Sequence, residues 1–185
     1  MSTGRDNKIT GQIGEYLVCA ELGRRGLIAT PFSGNVPTFD VLATDDLCRT
    51  VPIQVKSTNG HKWLTDARKW LKIELDEKTG IQKNLGKENI KHPDLIYVFV
   101  AIAPLPNKEV KDRFFILTES ELQVTCIKSY EKWMDGHGWK RPRSPRSYDC
   151  RFEICDVIRY EDRWSLITDR WQKSKPDKSL EPASA

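Results

Sequence analysis

The chain has 185 residues, 38% of them hydrophobic and 30% charged, enough for one domain with a genuine core. Its formal net charge of +4 permits a polyanionic partner without demanding one. No run reaches the length of a membrane span, and Met1–Lys8 leads into no apolar block, so neither a membrane partner nor a signal peptide is expected. The five cysteines, Cys19, Cys48, Cys126, Cys150 and Cys155, are widely spaced and form no CxxC. They read as reduced thiols of a cytoplasmic protein, several of them filling the core, rather than as a structural zinc site.

In chain order, Thr10 is placed to cap a helix over 11–25, with Ile13, Tyr16, Leu17 and Ala20 at helical spacing. Glu15, Val18, Cys19 and Leu22 form a neighbouring stripe, which keeps Glu15 off the wettest face. Gly26 suits the left-handed turn that ends a helix. A short strand follows at 27–31, then a turn at Ser33-Gly34-Asn35. Segments 40–43 and 51–57 read as a strand pair around the polar loop 44–50, in which Asp45 and Asp46 look solvated. Period two puts Ile53 and Val55 on one face of the second strand, Gln54 and Lys56 on the other.

Residues 61–91 are polar and basic, with 64–75 expected as a helix or an irregular lid. The run 95–101 is β-branched and aromatic almost throughout, the mark of a central strand. Residues 103–107 end it, and 113–117 form another buried strand. Thr118 and Glu121 have capping-box spacing and open a helix to Met134. A long basic loop covers 136–146, an edge strand 152–158, and a short closing helix 164–171. The domain is expected over 1–172, with 173–185 a fraying tail. Helices around a mixed sheet satisfy this order, an α/β architecture. No glycine-rich phosphate loop, HExxH or GxSxG is present, which excludes the usual ATPase, zinc-peptidase and α/β-hydrolase markers.

Cations cluster in two places. Lys62, Arg68, Lys69 and Lys72 stand against Asp66, beside Trp63 and Trp70. Lys140, Arg141, Arg143 and Arg146 stand with no acid among them, beside Trp139. Such mixtures suit a phosphate backbone with splayed bases, though they also describe a solvated face over core aromatics. His61 is a candidate substrate contact, while His92 before Pro93 and His137 between two glycines read as loop residues.

One constellation carries chemistry. Asp40 opens the first strand of the pair, and Gln54 and Lys56 share a face of the second. With Glu15 from the helix, they offer two carboxylates, an amide oxygen and an ammonium. Hard oxygens hold magnesium, which keeps several waters. Lys56 can orient an attacking water or offset charge at a crowded phosphorus. Taken singly, each residue is equally an ordinary surface acid, turn cap or wet strand face.

The pattern Thr38-Phe39-Asp40, then Gln54-Val55-Lys56, after a helix with Gly11, Gly14 and Glu15, resembles the PD-(D/E)xK nuclease superfamily, nearest its Holliday-junction-resolvase-like branch. The resemblance covers about 10–58 and implies a restriction-endonuclease-like core. It implies that Glu15, Asp40 and Gln54 gather around Mg2+ (or Mn2+), that Lys56 serves the attacking water, and that Ser57 faces the phosphate. It departs from the pattern where Thr38-Phe39 replaces a nearby proline or glycine and Gln54 a carboxylate. The expected function is a magnesium-dependent DNA endonuclease, selective for DNA structure and acting on two strands as a homodimer. The alternative, motivated by Gln54, is a nuclease-fold module that cuts weakly or not at all and binds nucleic acid or a protein. An ordinary interaction domain would leave Glu15, Asp40, Gln54 and Lys56 apart.

Overall fold

The computed structural model describes residues 4–32, 38–104 and 110–172. Its elements are α1 (Gly4–Arg24), β1 (Ile28–Pro31), β2 (Val41–Thr44), β3 (Thr50–Thr58), β4 (Lys62–Asp66), β5 (Leu71–Leu75), β6 (Gln82–Lys87), β7 (Ile96–Ala101), β8 (Arg113–Thr118), α2 (Glu119–Asp135), β9 (Asp149–Glu153), α3 (Ile154–Val157) and α4 (Ser165–Gln172). A central sheet has the order β1-β2-β3-β7-β8. Its β3 and β7 run parallel, and the other neighbours run antiparallel. A parallel pair needs a long crossover. Here the crossover carries β4, β5 and β6, which form no part of the central sheet.

The sheet separates two cores. On one face α1 and α4 cover Val41, Ile53, Val55, Val98 and Ile116. On the other, α2 and the β4–β9 pair enclose Phe99, Phe115 and Leu117 with Trp63, Trp70 and Phe152. The sequence alternation follows from this: β7 is buried on both sides, so its run is almost continuously apolar. The capping box forms as the spacing predicts. Thr118 Oγ1 accepts from the Glu121 amide at 3.2 Å, and Glu121 accepts from the Thr118 amide at 2.9 Å. Gly26 has φ +81° and lets the Leu27 amide reach the Leu22 carbonyl, closing α1.

Several expectations need correction. Helix α1 starts at Gly4, so Thr10 is a buried interior residue rather than a cap. The stripe that packs on the sheet is Thr10, Gly14, Val18 and Leu22, four residues apart, and Ile13 and Tyr16 face outward. Segment 64–75 is neither helix nor lid. It ends β4, makes one 3-10 turn at Ala67–Lys69 and enters β5. Segment 152–158 is an edge strand only over its first two residues, since β9, paired with β4 alone, stops at Glu153, where Asp156 accepts from the Glu153 amide to start α3. Asp45 is buried rather than solvated: it accepts from the Leu47 and Arg49 amides at 3.1 and 2.9 Å and from the Arg49 guanidinium. Cys126 and Cys150 are core residues, whereas Cys48 and Cys155 are exposed. The turn at 33–35, most of the 103–107 stop and the tail at 173–185 lie outside the described residues.

Candidate active site

Strand register assembles the site. Val41 pairs with Ile53, and the Asp40 amide donates to the Ile53 carbonyl at 2.9 Å. Val41 and Ile53 face the α1 core. Alternation therefore turns Asp40, Gln54 and Lys56 to the opposite face, beside Tyr97 and Phe99, the register partners of Gln54 and Lys56 on β7.

Asp40 Oδ2 is the hub. It accepts from the Gln54 carboxamide, Gln54 Nε2 being the donor, and from the Val55 amide at 2.9 Å. The Lys56 ammonium stands 4.0 Å from the same oxygen. Gln54 is only 8% exposed, and its Nε2 also lies 3.4 Å from the Val55 carbonyl. Two acceptors thus stand at the amide nitrogen, which favours this carboxamide orientation. Gln54 presents hydrogen to Asp40 where the expected ligand role needs oxygen.

Glu15 joins the group. Burial raises its pKa, the Asp40 charge raises it further, and Lys56 draws it down. The three charges are therefore near enough to act on one another. Burial also lowers the Lys56 pKa, with Lys69 adding to the effect while Asp40 and Glu15 oppose it. The Lys56 side chain keeps 52% of its exposure, so its desolvation is partial. Gly14 makes the approach of α1 feasible. A Cβ there would collide with Ser57 Oγ, so only glycine fits without a shift.

Gln54 and Lys56 line a cleft of about 860 Å3, whose walls also include Lys62, Lys69, Lys91, Tyr97 and Glu119, and Asp40 meets it through its contacts to Gln54 and Lys56. Tyr97 and Glu119 are functional candidates that sequence reasoning missed. Tyr97 Oη donates to Glu119 Oε1 at 3.3 Å, and burial followed by the Glu119 charge pushes the phenol pKa up. The one signal for Tyr97 was a polar tip inside an otherwise apolar strand.

The residues expected to touch nucleic acid divide into three groups. Lys62 and Lys69 line the cleft, and Lys72 is exposed on β5. Arg68 is held by Asp66 at 2.6 Å and lies over Tyr148, Arg146 pairs with Glu77 at 2.9 Å, and Arg141 sits over Trp133 and donates to the Asp149 carbonyl. Lys140 and Arg143 are exposed on the 136–146 loop. Two expectations are corrected. Trp63 and Trp70 are core residues, not stacking platforms: Trp63 packs on Phe99, Phe115 and Phe152, and its Nε1 donates to the Lys56 carbonyl at 3.1 Å. Ser57 borders the cleft, but its Oγ is buried against Gly14 without a hydrogen-bond partner, so the hydroxyl is turned to α1 rather than to a phosphate.

No protein-family model matches the chain, and no curated protein sequence does. The fold has a solved counterpart. The bacterial homing endonuclease I-Ssp6803I superposes with a TM-score of 0.50 at 13% identity, over 92% of this chain and 98% of that one. The mixed sheet, the flanking helices and this superposition together give the chain a restriction-endonuclease-like core.

Proposed function

We propose that the protein is a nuclease-fold module that binds nucleic acid across the Asp40 cleft and, as the chain stands, cuts weakly or not at all. The observation that carries this reading is the Gln54–Asp40 hydrogen bond. Among the described residues no three carboxylates, histidines or cysteines stand together as a metal cluster. The donor set still suits a hard cation: two carboxylates from Glu15 and Asp40, and the Gln54 oxygen once its amide rotates, with water completing the shell. A divalent ion held there would neutralise phosphodiester charge and acidify a water. Rotation gives up the bond to Asp40 and turns the Gln54 oxygen toward the Val55 carbonyl, which lowers cation affinity.

Lys56 reaches the same cleft from β3 and is the group to orient a water or meet charge on the phosphorane oxygens. Lys62, Lys69 and Lys91 on the walls supply sequence-independent attraction to phosphates. I-Ssp6803I is by its name an endonuclease, which is consistent with nucleic acid as the partner.

A second reading, a fully competent magnesium-dependent deoxyribonuclease, is favoured by the mutual influence of Glu15, Asp40 and Lys56. Calorimetry with Mg2+ or Mn2+ and cleavage of supercoiled, linear and branched DNA separate the two. Measurable DNA binding with slow or absent cutting supports the first reading. Cutting that is rapid and lost in both Asp40→Ala and Lys56→Ala supports the second. A protein that binds neither DNA nor RNA contradicts both.

A further inference from the structure

The crossover between β3 and β7 holds a feature that the cleft does not explain. Strands β5 and β6 form a separate two-stranded antiparallel ribbon. Two buried glutamines fix it at both ends. At its base, the Glu88 amide donates to the Trp70 carbonyl at 2.9 Å, tying the two feet together. Gln123 of α2 then donates to both feet, to the Trp70 carbonyl at 3.1 Å and the Glu88 carbonyl at 2.7 Å. Toward the tip, Gln82 donates to the Pro145 and Ser147 carbonyls at 2.8 and 2.9 Å and accepts from Tyr130. A ribbon that served only as a connection would not need its base and its far end pinned by buried amides.

The ribbon has two unlike faces. Leu71, Ile73, Leu75 and Gln82 turn toward the body, and Asn84 donates to Glu131 of α2 at 2.8 Å. By alternation, Lys72, Glu74 and Lys83 turn away, with Glu74 and Lys83 paired across the strands. Leu85 stands in the irregular stretch of the ladder, 59% exposed. Further exposed cations stand at the ends of the ribbon, Lys69 at one foot and Lys78 at the tip, whereas Lys87 pairs with Leu71 on the body side. Of the acids near the tip, Asp76 is turned into its own hairpin turn and Glu77 is paired with Arg146. The feet open on the cleft, because Lys69, Trp70 and Asn89 are cleft walls.

We propose that the β5–β6 ribbon lies in the major groove of duplex DNA while the flanking backbone enters the Asp40 cleft. The B-form major groove, about 12 Å wide, admits a two-stranded ribbon, whereas the deep, narrow groove of duplex RNA does not. A six-residue strand spans about 20 Å at the usual rise, and Lys72 and Lys83 then face the phosphates that border the groove. Leu85 offers an apolar contact of the kind that a thymine methyl accepts. This inference rests on the nucleic-acid reading of the cleft and adds the duplex form and the element that grips it.

The test is equilibrium binding of the full chain to a fluorescent duplex DNA across a salt series. It compares the parent with the double variant Lys72→Ala/Lys83→Ala and with Leu85→Ser, all checked for folding by circular dichroism. The double variant is expected to bind on the order of tenfold more weakly, with the slope of log K against log salt reduced by about 2, near 0.9 for each phosphate that is no longer neutralised. A duplex whose cytosines carry glucosylated hydroxymethyl groups, which fill the major groove, should bind poorly, and A-form duplex RNA should compete weakly. Parent binding with an unchanged salt slope in the double variant, or equal affinity for the glucosylated duplex, overturns the ribbon assignment and leaves the cleft reading standing. No binding by the parent to DNA of any form overturns both.

Discussion

Replacing Gln54 by glutamate is the sharpest perturbation of the site. In the parent, the carboxamide donates to Asp40 and also lies against the Val55 carbonyl. A cation that recruits the Gln54 oxygen must first break that bond to a charged acceptor, worth about 1.5–3 kcal/mol. At 1.4 kcal/mol per decade, the affinity loss is roughly ten- to a hundredfold. Glutamate removes this cost and adds a ligand charge, but without a cation it sets a second carboxylate against Asp40. Gln54→Glu is therefore expected to bind Mg2+ at least about tenfold more tightly than the parent. Its melting temperature should fall without metal and recover with it, through preferential binding to the folded state. Calorimetry gives the affinity, and differential scanning with and without Mg2+ gives the stability. Equal or weaker Mg2+ binding by Gln54→Glu would refute the orientation assigned to the amide and the weak-cation reading built on it.

Four further outcomes follow from the same geometry. Gly14→Ala forces a Cβ into Ser57 Oγ and should destabilise by about 1–3 kcal/mol in denaturant unfolding, with Gly14→Ala/Ser57→Gly recovering much of the loss. Ser57→Ala removes a buried hydroxyl without a partner and should be neutral or stabilising by up to about 1 kcal/mol, with nucleic-acid affinity unchanged. A drop in affinity there would restore Ser57 to the phosphate site. Trp63→Phe should keep nucleic-acid affinity while lowering stability, because Trp63 packs inside and donates to the Lys56 carbonyl. For pH, hydrogen bonding by Arg113 holds the Glu161 pKa below its usual 4.5. Glu121 is also held below 4.5, where bonds from Thr118 and Arg163 outweigh the opposing effect of burial. A depressed folded-state pKa means stability that is complete above the unfolded value and lost as pH falls through the folded one. Unfolding midpoints should therefore fall from about pH 4.5 downward, and less steeply in Arg113→Met/Arg163→Met.

The parts of the fold that follow from local rules were legible in the chain. The central strand 96–101, the Thr118–Glu121 box, the Gly26 stop and the alternation of Ile53 and Val55 against Gln54 and Lys56 all depend on near neighbours. The juxtaposition of Glu15, Asp40, Gln54 and Lys56 was legible because one strand pair and one adjoining helix produce it. What was missed depends on distant partners. Segment 64–75 has no clear period because β4 pairs with β9, far along the chain, and β5 pairs with β6, whose outer residues are nearly all polar. Trp63 and Trp70 stand among lysines in sequence, yet their rings turn to Phe99, Phe152 and Tyr97 while the lysine heads stay in water. The outward Ile13 and Tyr16 misled for the opposite reason, since α1 packs on the sheet through small residues at Thr10 and Gly14. Residue type marks Gln54 as an oxygen ligand, whereas the Asp40 carboxylate and the Val55 carbonyl, both set by the strand pair, stand at its amide nitrogen.

The most direct measurement is Mn2+ binding followed by electron paramagnetic resonance, with duplex DNA present, in the parent, Asp40→Asn and Gln54→Glu. A cleft that holds a cation against phosphate through Asp40 predicts a DNA-enhanced weak site in the parent, a tighter one in Gln54→Glu and none in Asp40→Asn. Equal Mn2+ uptake by all three proteins would contradict it.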